Sequence, residues 1–96
     1  MRDFECHITV DTHKVNAPIL ESIGESLGWK TSFIEGDPDL GKGSRFFFTK
    51  HYNALDLAYN GTERLNNALG DAMIIVARKK IEEVLLDTRA GNWERP

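Results

Sequence analysis

Residues 4–10 read FECHITV, an unbroken alternation in which Phe4, Cys6, Ile8 and Val10 share one parity and Glu5, His7 and Thr9 the other. Side chains along a strand point to opposite faces in turn, so this pattern means a β-strand buried on one face and open on the other. A sheet begun by such a strand needs a cover on one side only. The chain has 96 residues, and a domain of that size buries roughly 60–65% of the surface its unfolded form exposes. That suffices for one core and one shallow site and excludes a multi-lobed enzyme.

The remaining elements follow from periodicity. Ile19, Leu20, Ile23 and Leu27 recur at helical spacing, predicting a helix over 17–27. Asn16 and Pro18 suit its start, and Gly28 suits a left-handed stop. Trp29, Thr31 and Phe33 then alternate with Lys30, Ser32 and Ile34 as a second strand, with Trp29 in the core. The turn-rich run from Gly36 to Gly43 leads into a third strand over 45–51, so the two strands form a hairpin with a long tip. Leu65, Ala68, Leu69, Ala72, Met73 and Val76 make a helical stripe, while Asn60-Gly61 predicts an interruption, giving a broken or late-starting helix between 54 and 73. In 80–87, Lys80, Glu82, Val84 and Leu86 alternate with Ile81, Glu83, Leu85 and Asp87, as in a fourth strand. Ile81, Val84 and Leu85 also fit a helix, so both states stay open for 74–86.

The order β-α-β-β-α-β predicts an α+β, two-layer ferredoxin-like sandwich: a four-stranded antiparallel sheet with two helices on one face and strands one and three at its centre. One domain is expected over 1–89, with 90–96 as a mobile tail. Trp93 has nothing local to bury it. It either folds back or marks a contact with a partner.

Charge and cysteine limit the setting. Lys+Arg 12 against Asp+Glu 15 gives a net charge of -3, the wrong sign for a general nucleic-acid binder. No apolar run reaches the roughly 18–20 residues of a membrane span. Cys6 is the single cysteine and no secretory h-region is visible, which predicts a reducing, cytoplasmic compartment. The histidines, His7, His13 and His51, lack the short spacings of metal-binding helices, so neither a metal nor a cofactor is expected.

With Phe46 and Phe48 buried, Arg45, Phe47, Thr49 and His51 face outward with Glu5, His7 and Thr9. With Ile81 and Leu85 in the core, Arg78, Lys80 and Glu82 join them. Two chemistries suit this patch. As a binding or regulatory module, it holds a small anionic ligand or a protein partner through Thr9, Thr49, Arg78, Lys80 and Glu82. As a phosphoesterase acting on a nucleotide or RNA end, it uses His7 and His51 as acid and base, Thr9 and Thr49 as oxygen donors and Lys80 as charge stabiliser. A plain solvated sheet face also accounts for these residues. A homodimer through the open face or an edge is one assembly open to such a domain.

His7-Ile8-Thr9 resembles the H-x-T element of the two-histidine phosphoesterases, which use two such elements to hold a phosphate; the second copy has no counterpart at His13 or His51. The phrases FECHITVD, GWKTSFIEGDPDLG, TKHY and RKKIEEVLLDTR resemble a group of small prokaryotic and phage proteins of ferredoxin-like layout, which implies the fold and no particular reaction. Two near-motifs fail on physical grounds. Gly36 to Lys42 has the glycine and lysine spacing of a P-loop, but Gly43 stands at the hydroxyl position and a strand follows instead of a helix. Lys42 to Phe47 is similar to the RNA-binding signature of RRM domains, yet Ser44 replaces one aromatic and Phe46 belongs to the core.

Overall fold

In the computed structural model the first strand, β1, runs Phe4–Asp11, and its alternation is kept in full: Phe4, Cys6, Ile8 and Val10 are buried while Glu5, His7 and Thr9 are half-exposed. The structure describes residues 2–11, 17–36, 39, 43–85, 87–89 and 92–94. Asn16, His13 and most of the hairpin tip, including Lys42, lie outside these. The elements that follow are α1 (Ala17–Ser26), β2 (Lys30–Ile34), β3 (Arg45–Tyr52), α2 (Leu55–Asp71) and β4 (Val76–Glu83). Strand order in the sheet is β2-β3-β1-β4 with every neighbour antiparallel. This is the ferredoxin-like arrangement expected, with β1 and β3 central.

Two short strands, β5 (Asp87–Arg89) and β6 (Asn92–Glu94), pair separately. Trp93 stands on β6 opposite Thr88; the placement of its side chain lies outside the described residues.

The core forms between the sheet and both helices. Phe4, Cys6, Ile8, Val10, Phe46 and Phe48 come from the sheet, Leu20 from α1, and Ala58, Leu65 and Leu69 from α2. Trp29 joins them, edge-on to Tyr52 at 6.4 Å between ring centroids. At the sheet's margins, long charged side chains reach back to the helices. Lys50 donates to the Leu27 carbonyl at 3.0 Å, placing a cation at the C-terminal end of α1, and Lys79 bridges to Glu63 of α2 at 3.0 Å.

Both helices end in the same hydrogen-bonded motif. After α1, Gly28 takes a φ of 78°, with Gly28 N–H donating to Glu25 and Trp29 N–H to Gly24. After α2 the left-handed position is held by Met73 at φ 61°, with Met73 N–H donating to Gly70 and Ile74 N–H to Leu69. The expected stripe through Met73 and Val76 therefore stops short. Met73 points into solvent, Ile74 turns into the core, and Val76 belongs to β4.

Two further expectations are corrected. Asn60-Gly61 does not interrupt α2, which runs unbroken through both residues. Gly61 serves the packing instead: a Cβ there would run into the Tyr52 hydroxyl and ring. Residues 76–83 are strand and not helix, and Leu85, expected in the core, lies beyond β4 and is exposed.

Cys6 is fully buried, its thiol directed at the Ala58 carbonyl at 3.8 Å, and burial pushes its pKa up. The native protein should therefore react with a thiol reagent such as DTNB only as fast as it opens, and stoichiometrically once unfolded in urea. A rapid full-amplitude reaction without denaturant would contradict this placement.

Candidate functional site

The face of the sheet away from the helices is built row by row from the register. Glu5 stands between His51 on β3 and Glu82 on β4; His7 stands between Thr49 and Lys80; Thr9 stands between Phe47 and Arg78. On the far side of β3, β2 adds Lys30 beside Thr49, Ser32 beside Phe47 and Ile34 beside Arg45. Directly opposed residues share a face, so one parity rule delivers all these side chains to one surface.

On β4 an irregularity brings Val76 back opposite Val10 on the core side. Thr9 pairs with Arg78 but Val10 pairs with Val76, leaving Ala77 as an extra residue.

A concavity of about 360 Å³ occupies the middle of this face. Each strand contributes two residues: His7 and Thr9, Ser32 and Ile34, Phe47 and Thr49, Arg78 and Lys80. Phe47 and Ile34 give the lining an apolar part, and the other residues present hydroxyls, an imidazole and two cations. Lys80 is bonded to Glu82 at 2.7 Å, and this hydrogen bond and charge hold the Glu82 carboxyl below its usual range. Arg45 faces Asp11 at 4.0 Å. Arg78 has no ion-pair partner among the described residues.

Beside the concavity runs a chain of polar contacts. Thr49 Oγ1 lies 3.2 Å from His7 Nδ1, and His7 Nε2 is hydrogen-bonded to Glu5 Oε1. A carboxylate can only accept, so Nε2 carries the proton. In the neutral ring Nδ1 is then the acceptor for the Thr49 hydroxyl. The other oxygen of Glu5 lies 3.4 Å from His51 Nε2, and His51 Nδ1 meets the two Asp3 oxygens at 2.9 and 3.1 Å.

Of the residues anticipated from sequence, Thr9, Thr49, Arg78, Lys80 and His7 line the concavity together. His51 and Glu82 share the face but stand one row away, either side of Glu5. Sequence reasoning placed Glu5 on this face without giving it a role, and left Asp3, Ser32 and Ile34 out of the site. The spacing Glu5-x-His7 was the available signal for a role of Glu5 toward His7, since residues two apart on a strand are neighbours on one face. Ser32 and Ile34 depended on the hairpin register, which a long tip leaves undetermined.

Among the described residues no cluster of His, Cys, Asp or Glu is arranged to hold a metal, and no helix is long and apolar enough to cross a membrane. No family model, curated protein or solved structure matches the chain.

Proposed function

We propose that the open face is a receptor for a small anionic molecule carrying an apolar or planar part. The observation that carries this reading is Arg78: a guanidinium in a concavity, with no carboxylate of its own among the described residues. A guanidinium presents a fork of donors suited to a carboxylate or phosphate, and hydroxyls of Thr9, Ser32 and Thr49 are at hand for the remaining oxygens. Phe47 and Ile34 offer the flat apolar wall expected of a small-molecule site. Use of the face as a phosphoesterase site through His7 and His51 has weaker support. Glu5 stands between the two rings, and His51 does not line the concavity.

The test is calorimetric titration against nucleoside monophosphates, sugar phosphates and aromatic carboxylates. At least one should bind, and Arg78→Ala should weaken it about 10- to 100-fold, the worth of a charged hydrogen bond. Arg45→Ala, which removes a cation already facing Asp11, should change affinity less than about 2-fold. Equal losses at the two arginines, or a panel that does not bind at all, would end this reading.

A further inference from the structure

We infer that Thr49 is a nucleophile, that His7 is its general base, and that the face hydrolyses carboxylic esters bearing an anionic group. The connectivity is carboxylate, imidazole, hydroxyl: Glu5 Oε1 on His7 Nε2, and His7 Nδ1 on Thr49 Oγ1 at 3.2 Å. A nucleophile within hydrogen-bond reach of a base, itself oriented by a third group, is the geometry of an activated hydroxyl, whichever fold carries it. Thr49 and His7 both line the concavity, so the hydroxyl is presented where a ligand would sit. The charge of the substrate rests on the reading of Arg78 given above; the nucleophile itself does not.

The steps balance with water as the only co-reactant. Thr49 Oγ adds to the ester carbonyl carbon while its proton passes to His7 Nδ1, and Glu5 steadies the resulting imidazolium. The carbonyl electron pair moves to oxygen. Its return expels the alcohol, which takes the proton from His7, leaving an acyl group on Thr49. Water then adds in the same way, giving a proton to His7, and departure of Thr49 Oγ with that proton releases the acid. Ester chemistry fits this face better than phosphoryl transfer. A phosphoryl group needs its oxygens clamped by several charges, whereas here Lys80 is already bonded to Glu82, which leaves Arg78 as the lining cation without an ion-pair partner among the described residues.

The experiment uses two probes on the full chain, a fluorophosphonate that labels activated hydroxyls and the 4-nitrophenyl monoester of succinate. One adduct per chain should appear by mass spectrometry and map to Thr49. Thr49→Val, which keeps the shape, should abolish both labelling and hydrolysis; Thr49→Ser should retain them. His7→Gln should slow hydrolysis about 100-fold or more. Glu5 is a positioning residue, so Glu5→Gln should lower kcat and leave KM unchanged.

Absence of an adduct, an adduct elsewhere, or hydrolysis surviving in Thr49→Val would overturn the proposal, provided circular dichroism shows each variant folded. Should Thr49→Val still bind the anions while wild-type protein takes no label, the nucleophile fails and the receptor stands. Labelling of Thr49 with no anion binding would sink the receptor alone.

Discussion

Truncating Phe48 to alanine should cost about 3–5 kcal/mol, whereas the same change at its neighbour Phe47 should cost about 1 kcal/mol or less. The two phenylalanines are adjacent on β3 and differ only in parity. Phe48 is fully buried, its ring centroid 5.1 Å from that of Phe46, and it packs so closely on α1 that a Cβ on Gly24 would fall within 2.9 Å of the ring. Phe47 looks into the open concavity. Against a total stability of roughly 5–15 kcal/mol for a typical domain, Phe48→Ala leaves a marginal fold. Phe47→Ala should keep the fold and weaken the anionic ligand. Urea unfolding of both variants, with unchanged slope, measures the difference; similar midpoints would mean that the face assignment of β3 is wrong.

The second large effect is a reversal of sign within one helix. Gly70→Ala should stabilise by up to about 1 kcal/mol, the ordinary gain of alanine over glycine in a helix, because nothing lies within 4 Å of the new methyl. Gly61→Ala should instead destabilise by about 1–3 kcal/mol, as overpacking does. The Tyr52 side chain occupies the position of the methyl, and it cannot retreat freely: its ring lies edge-on to Trp29, with the Lys50 ammonium 5.1 Å from its centroid. Thermal or urea unfolding of the two variants side by side checks the reversal. A Gly61→Ala protein as stable as Gly70→Ala would show that Tyr52 packs loosely.

Much of this architecture could be read in the residues because it depends on local periodicity. The parity of β1 assigned four core residues and three open-face residues correctly, Phe46 and Phe48 were placed by the same rule, and Gly28 marked the end of α1. What escaped depends on contacts distant in sequence. Gly61 looks like a helix breaker until Tyr52 is seen against it, and Met73 holds a left-handed position that composition assigns to glycine or asparagine. Leu85 is apolar and in phase, yet β4 ends before reaching it, and Val84 N–H instead donates to the Asp3 carbonyl at 2.8 Å. For the site, the residue types on β1, β3 and β4 were legible. The link from Glu5 through His7 to Thr49 was not, because it requires both the β1–β3 register and the rotamers of three side chains.

The extra residue at Ala77 has a bearing on how such a chain can change over time. Val76, before it, packs against the core, and Arg78, after it, reaches the open face beside Thr9. In an unbulged strand these two would share a parity, and a single face would have to accept both. Ala77 separates the two demands. Losing that one codon would act as a frameshift in space: either Arg78, Lys80 and Glu82 rotate together to the helix side, or Val76 is expelled into water. Point substitutions along β4 can therefore accumulate gradually, while insertion or deletion near position 77 is an all-or-none event for the site.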